Sequence, residues 1–291
     1  MTVGFFSQYG RLIPATLAGV LIATVAAQAA SETVKFAPHR AVYDITLGRS
    51  APGSGVNDMT GRLVYELTGG ACEDYAQSMR FVTQSSSTDG SEQVNDMRTS
   101  SSEEAGGRRL KFTSTQYRDD QIAEATEGRA GRKAGDNEVT IELSKPETRA
   151  LSLPGSVYFP IQHSIAMLDA ARAGKMRFEA DVYDGSDKGD KVSATTTVIG
   201  KARVADAAEL PASIANVERL KQMKFWPIST SYFEKGKTLD TKDALPNYEM
   251  AAHFFENGVS TRLVMDYGDF SLKGELRELT WLDEPRCGGG R

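Results

Sequence analysis

The chain has 291 residues, of which 40% are hydrophobic and 25% are charged, as in an ordinary folded protein. Its formal net charge is −5, so it lacks the basic character that a nucleic-acid partner demands. Length and composition therefore indicate one large folded domain or two small ones, and the charge argues against nucleic-acid binding.

The first 29 residues have the features of a cleavable signal peptide. Arg11 precedes an apolar run, residues 12–26, and Ala27-Gln28-Ala29 is the small-residue pattern that signal peptidase requires. The alternative is an uncleaved anchor, but the run is shorter than the ~20 apolar residues of a membrane span. We expect export to the periplasm and a mature chain that begins near Ala30 and does not span the membrane. Loss of the Arg11 charge moves the net charge from −5 to about −6.

Two cysteines, Cys72 and Cys287, remain in the mature chain. In an exported protein a disulfide is the leading interpretation. It would close a loop of about 215 residues and attach the last strand to the first part of the sheet. Two free thiols are the alternative. A zinc site has less support, because the sequence has no C-x-x-C and no histidine near either cysteine.

Alternation of apolar and polar residues with period two recurs along nearly the whole chain, with turn residues between the runs. In Arg40–Leu47, for example, Ala41, Tyr43 and Ile45 fall on one face of a predicted strand. The same pattern predicts further strands at Gly61–Leu67, Ser78–Gln84, Asp96–Ser102, Leu110–Thr115, Ala123–Arg129, Val139–Leu143, Met176–Tyr183, Val192–Gly200, Gln222–Phe233, Tyr248–Glu256, Val259–Tyr267 and Phe270–Leu282.

Turn signals between these runs indicate hairpins. Asn257-Gly258 is the strongest, because Asn-Gly accepts the positive φ angles of a type I′ turn at low cost. Asp89-Gly90 and Asp184-Gly185 are looser signals of the same kind. The order of strands and turns predicts a long antiparallel meander and not a set of βαβ units.

One amphipathic helix is predicted between Pro160, which suits the first helical position, and Gly174, which can end a helix. Apolar residues on one face of this helix recur at spacings of four, three and three: Ile161, Ile165, Leu168 and Ala171. Residues Ala207–Lys221 are compatible with a second short helix. We expect a single, mainly β domain over residues 30–291, with the first helix packed against one side of a curved sheet.

No motif for catalysis or for a cofactor stands out. The chain lacks G-x-S-x-G and S-x-x-K, and His39, His163 and His253 are not spaced as metal ligands. We interpret His39 and His163 as hydrogen-bonded structural residues, with a cavity-facing His163 as the alternative. The carboxylates of Asp184–Asp190 could form a calcium loop, but their spacing favours a hairpin turn. We therefore expect no catalytic, cofactor-binding or metal-binding residues.

Aromatic residues are spread along the predicted strands, and most of them are expected to lie in the core. They include Trp226, Tyr232, Phe254 and Trp281. In a wide, half-open sheet, inward aromatic and aliphatic side chains could line an apolar groove. This possibility is the physical basis for a ligand-binding hypothesis.

Motifs along the mature chain resemble those of the EipB family of alphaproteobacterial cell-envelope-integrity proteins, formerly described as a domain of unknown function. The resemblance extends over almost the entire mature chain except residues 116–150 and 201–221. The matching stretches are APHRAVYDITL (37–47), GRLVYELTGGACEDY (61–75), MRFVT (79–83), LPGSVYFPIQH (153–163), VYDGSDKGDKV (182–192), WPISTSYFE (226–234), NGVSTRLVMDYGDFSLKGEL (257–276) and the terminal Cys287.

The resemblance implies a secreted periplasmic protein built as a β-spiral, an open barrel-like coil of strands with a helix set against it. It also implies a disulfide, which falls here on Cys72 and Cys287. Family members look non-enzymatic and support the envelope under stress. Their fold is similar to that of periplasmic lipoprotein carriers, whose concave face takes up acyl chains.

Our main interpretation is a non-enzymatic periplasmic factor that supports cell-envelope integrity and stress resistance. The alternative is a periplasmic carrier or sensor that binds a lipid, lipoprotein or other apolar ligand in the concave groove. A hydrolase that acts on envelope polymers is a third class, but no carboxylate pair stands out for it. The expected partners are envelope proteins or lipids.

Overall fold

The structure is a computed structural model of the chain. It describes residues 34–132, 138–153, 156–206, 209–210, 213–235 and 245–287. The predicted signal peptide, residues 1–29, lies outside the described residues.

The described residues form fifteen β-strands and one α-helix. The strands are β1 (His39–Ser50), β2 (Val56–Thr68), β3 (Tyr75–Ser87), β4 (Glu92–Glu103), β5 (Arg109–Arg118), β6 (Gln121–Gly131), β7 (Val139–Lys145), β8 (Arg149–Leu153), β9 (Arg177–Val182), β10 (Ser193–Ile199), β11 (Arg203–Val204), β12 (Lys224–Glu234), β13 (Tyr248–Phe255), β14 (Ser260–Asp266) and β15 (Phe270–Trp281). The helix, α1, is Pro160–Arg172.

All fifteen strands belong to one antiparallel sheet. The strand order is β8-β7-β6-β5-β4-β3-β2-β1-β15-β14-β13-β12-β10-β9, and β11 pairs with β12 beside this path. The first and last strands of the chain therefore meet in the middle of the sheet, while β8 and β9 lie at its two ends. The predicted antiparallel meander in an open, barrel-like sheet with one helix is confirmed.

The alternation of side chains decides which face of the sheet is buried. Ala41, Tyr43 and Ile45 of β1 are almost fully buried, and they define what we call the inner face. Residues directly opposite on neighbouring strands point to the same face. Gly61 on β2 is needed for close packing, because a Cβ atom there would lie 2.2 Å from the carbonyl oxygen of Val82.

Helix α1 packs its apolar side onto the inner face. Ile161, Met167 and Leu168 are buried members of the main core cluster. The helix ends as predicted, because Gly174 adopts a φ of +74°, which L-residues with side chains rarely adopt. Ile165, which was predicted on the buried face, is only partly buried.

A second, smaller core closes the region around the free ends of the sheet. Leu110, Phe112 and Ile141 on β5 and β7 belong to it, together with Tyr183 from the loop that follows β9. Tyr158 forms a parallel bridge with β9 through backbone hydrogen bonds to residues 181 and 183. The segment that follows β8 therefore covers part of the β9 edge, which would otherwise expose unpaired backbone groups.

The predicted second helix at Ala207–Lys221 is wrong for the residues that the structure describes there. Only Val217–Leu220 is helical, as a short 3-10 turn. Asn216 and Gln222 on either side of it have φ angles of +65° and +67°, which stop a longer helix at both ends. The short strands β8 and β11 were not predicted, because each offers too few residues for a periodic signal.

The Asn257-Gly258 hairpin is present, but its turn is not type I′. Gly258 has a φ of +90°, whereas Asn257 is not among the residues with positive φ. The turn is closed by two backbone hydrogen bonds: the N–H of Gly258 donates to the carbonyl oxygen of Phe255 at 2.9 Å, and the N–H of Phe255 donates to the carbonyl oxygen of Val259 at 2.9 Å. Asn257 is held by tertiary contacts, since its own carbonyl oxygen accepts the N–H of Ala37 at 2.9 Å.

The disulfide between Cys72 and Cys287 joins the turn after β2 to the segment after β15, with a Cα–Cα distance of 5.7 Å. Gly70 packs beside Pro285, since a Cβ atom on Gly70 would lie 2.6 Å from the Pro285 ring. The bond spans 215 residues of sequence. It therefore restricts the unfolded chain over nearly the whole described region.

We expect that Cys72→Ser lowers the melting temperature by several degrees, because loss of a native disulfide costs roughly 2–5 kcal/mol. Thermal unfolding followed by circular dichroism under non-reducing conditions measures the shift. Cys287→Ser and the double variant serve as controls and should give the same shift. A melting curve of Cys72→Ser that superimposes on the wild type contradicts a stabilising role for the bond.

Candidate ligand-binding groove

The inner face is not filled uniformly. The part of the inner face near β1 is fully buried. Elsewhere on the inner face, several large apolar side chains pack against the core but are only partly buried. These are Leu47, Tyr65, Met79, Phe81, Phe178, Met250 and Phe270. Apolar side chains that line the inside of a sheet and keep partial access to solvent form the kind of surface that binds small apolar ligands.

Methionines contribute strongly to this inner surface. Met79 pairs with Tyr65, Met97 pairs with Phe81, and Met250 lies directly opposite Met265 on β14. Met79, Met97 and Met250 are half-buried. Because the methionine side chain is flexible and polarizable, it adapts to ligands of irregular shape. The inner surface is therefore apolar, and its methionine side chains can adapt to the shape of a ligand.

An aromatic ladder crosses one rim of the inner face on β12, β13 and the β14–β15 turn. The rings of Tyr232 and Tyr248 stack with centroids 4.4 Å apart and an interplanar angle of 5°. Tyr248 and Tyr267 follow at 6.1 Å, and Tyr267 and Phe270 at 5.1 Å. Tyr267 is 39% exposed, so the ladder reaches the protein surface. Burial raises the pKa of Tyr232 to about 12, which keeps its hydroxyl neutral.

Polar side chains cover a different sector of the same face. Thr99 pairs with Met79, Ser114 pairs with Thr99, and Gln116 pairs with Met97, so these three residues point inward from β4 and β5. All three are half-buried. The groove therefore has an apolar sector of aromatic and methionine side chains and a polar sector of hydroxyls and an amide.

His163 lies on α1 at the edge of this groove and is buried. Its Nε2 lies 3.2 Å from the hydroxyl of Thr195, which itself donates to the carbonyl oxygen of Ala180 at 2.8 Å. The Nε2–H therefore donates to Thr195. Burial lowers the pKa of His163 to about 4, so the ring is neutral at physiological pH. The geometry agrees with a hydrogen-bonded structural histidine between the rings of Tyr158 and Phe178.

The other two histidines also have partners within the fold, and the ring of His39 lies 5.7 Å from the ring of Tyr65. His39 is hydrogen-bonded through Nδ1 to the carbonyl oxygen of Ala37 at 2.7 Å. His253 stacks on Phe225, and its Nδ1 lies 2.9 Å from a carboxylate oxygen of Glu209. Glu209 is buried and also pairs with Arg203, so this contact attaches the loop after β11 to β13. The sequence contained no signal for the contact between Glu209 and His253, because the two residues are distant in the chain.

Glu103 is the buried carboxylate that sequence reasoning missed. It ends β4, and its two oxygens accept the backbone N–H groups of Ile161 and Gln162 at 2.7 and 2.9 Å. The residue that precedes α1, Phe159, makes no side-chain cap. Glu103 therefore supplies from another strand the acceptors that the first turn of the helix needs. Burial raises the pKa of Glu103 to about 7, against the opposing effects of these hydrogen bonds and the nearby charge of Arg132.

The carboxylates of Asp184–Asp190 have separate partners. Asp184 accepts the backbone N–H of Ser186, Asp187 pairs with Lys191, and Asp190 pairs with Arg149. Among the described residues, no group of three or more acidic, histidine or cysteine side chains could hold a metal ion. Within the same ranges, no helix has the length and apolar character that crossing a membrane requires.

The fold and the groove define an open, barrel-like antiparallel β protein with one helix packed against its inner face. The chain belongs to the EipB-like family, whose model matches residues 30–283. The resemblance drawn from the sequence motifs is therefore confirmed.

Two relatives from Brucella abortus support this assignment. The chain is 34% identical over 257 residues to the cell envelope integrity protein EipB of strain 2308, with 88% of each chain covered. It also matches the crystal structure of a β-barrel-like protein of a domain of unknown function, DUF1849. That match has a TM-score of 0.77 and 32% identity, and it covers 86% of this chain and 100% of the other.

The raised pKa of Glu103 predicts a pH dependence of stability. The folded chain holds the Glu103 proton up to a pH of about 7, whereas the ordinary value is 4.5. The stabilisation from this proton is therefore fully present below pH 4.5 and is lost as the pH rises through about 7. Glu103→Gln stays neutral but keeps only one of the two acceptor oxygens, so we expect a pH-independent loss of stability from the missing hydrogen bond. On top of this offset, its stability should rise by up to roughly 3 kcal/mol relative to the wild type as the pH increases over this range.

Chemical denaturation of both proteins at a series of pH values measures this difference. Glu142→Gln, at an exposed carboxylate on β7, is the matched control and should follow the wild-type profile. Parallel profiles for the wild type and Glu103→Gln would show that the buried carboxylate does not retain a proton.

Proposed function

We propose that the chain is a non-enzymatic periplasmic factor that supports cell-envelope integrity under stress. Membership of the EipB-like family and the name of the curated relative support an envelope role. The family model begins at residue 30, directly after the expected cleavage site, which supports export with a signal peptide of residues 1–29.

We further propose that this factor binds an apolar ligand, such as the acyl chain of a lipid or lipoprotein, in the inner groove. One observation carries the proposal: Met79, Met250 and Phe270 lie on the inside of the sheet and yet remain only partly buried. A side chain that only contributed to the core would be covered by neighbouring residues. An acyl chain would bury these groups further, at roughly 25 cal/mol per Å² of apolar area removed from water.

Native mass spectrometry tests the ligand directly. We expect protein purified from its own periplasm to carry a lipid mass, and we expect Met79→Glu/Met250→Glu to lose it, because buried carboxylates oppose an acyl chain. The matched control is Val198→Glu on β10, where the side chain is 58% exposed, and it should retain the lipid. Wild-type protein with a clean apoprotein mass counts against the ligand.

Cells that lack the chain test the envelope role separately. We expect them to be more sensitive to detergent than the parent strain and to be rescued by the wild-type chain, because the factor supports the envelope. Growth on a detergent series measures the effect. Rescue by Met79→Glu/Met250→Glu would assign the envelope role to a surface other than the groove, and normal growth of the deletion strain would contradict the role itself.

A further inference from the structure

A second concave site lies on the outer face of the sheet, over β9, β10 and β12. It has a volume of about 510 Å³, within the usual range for small-ligand sites. It is separate from the inner groove, because Phe233 follows the inward-facing Tyr232 and therefore points to the opposite face. We call this site the outer trough. Its outward-facing lining residues are Glu179, Asp181, Ala194, Thr196 and Phe233, and it is also lined by Ala180 and Thr195, whose side chains point to the inner face.

Phe233 supplies the apolar surface of the outer trough. It is half-buried and belongs to neither core cluster, so its ring does not serve the packing of the interior. The residue directly opposite on β10 is Ala194, whose small side chain leaves space beside the ring. A half-buried phenylalanine on an outer face next to a small residue offers an apolar area that a ligand can cover.

Two acidic side chains of β9 line the trough together with this ring. Asp181 lies in the same cross-strand row as Ala194, and Glu179 lies in the next row opposite Thr196. Lys235 pairs with Asp181, and Arg177 pairs with Glu179. The two ion pairs balance the charge of the carboxylates, and each carboxylate keeps free lone pairs that can accept further hydrogen bonds.

We propose that the outer trough binds a short neutral oligosaccharide. A pyranose ring has an apolar C–H face, which Phe233 can cover, and hydroxyl groups at its edge, which can donate to Asp181 and Glu179 and exchange hydrogen bonds with Thr196. The balanced charges of the trough favour a neutral ligand over a strongly anionic or cationic one. This site and its ligand are independent of the acyl-chain groove proposed above.

Isothermal titration calorimetry with three neutral trisaccharides tests the proposal: triacetylchitotriose, cellotriose and maltotriose. We expect at least one of them to bind the wild-type chain, and Phe233→Ala to weaken that binding at least tenfold. Asp181→Asn should weaken it several-fold, because a carboxylate accepts hydroxyl protons more strongly than an amide oxygen does.

Two further variants keep the result interpretable. Ala194→Phe fills the trough without removing Phe233, so it should abolish binding in a protein that melts like the wild type. Tyr117→Ala removes a half-buried aromatic ring from β5, away from the trough, and should leave binding unchanged. The proposal is overturned if none of the three trisaccharides binds, or if binding survives both Phe233→Ala and Ala194→Phe.

Discussion

The antiparallel pairing of β1 with β15 is the contact on which the rest of the sheet depends. It joins the first and the last strand of the chain at the centre of the sheet, so that β2–β8 extend from one side and β9–β14 from the other. Pairing strands so distant in sequence is costly in chain entropy, and the bond between Cys72 and Cys287 acts at the same junction. The covalent link and the strand pairing therefore restrict the same long loop.

Because the sheet remains open, its inner face needs a separate element to fill it. Helix α1 packs beside β9, and Glu103 holds the start of the helix from the end of β4. At the rim, the rings of Tyr232, Tyr248 and Tyr267 stack in a row, and Tyr267 reaches the protein surface. The position of one short helix therefore separates a sealed core from an accessible groove.

Successive residues of each strand point to opposite faces of the sheet, so the two faces carry different side chains. On β12, Tyr232 faces the inner groove, which is apolar on one side and polar on the other. Phe233, one residue later, faces the outer trough with its paired carboxylates. A factor for the cell envelope with two such surfaces could hold an acyl chain and a sugar at the same time, which would suit a layer built from lipids and glycans.

The sequence by itself determined the longer strands, their alternation and helix α1, but not the short strands β8 and β11. Ala41, Tyr43 and Ile45 repeat with a period of two, and Pro160 and Gly174 mark the helix ends, because these signals depend on neighbours in the chain. Only the tertiary structure decided the rest. Glu103 contacts α1 across 58 residues of sequence, and no local sequence pattern predicts such a contact. The groove likewise depends on which inner side chains the helix leaves uncovered, and this depends on how the sheet curves.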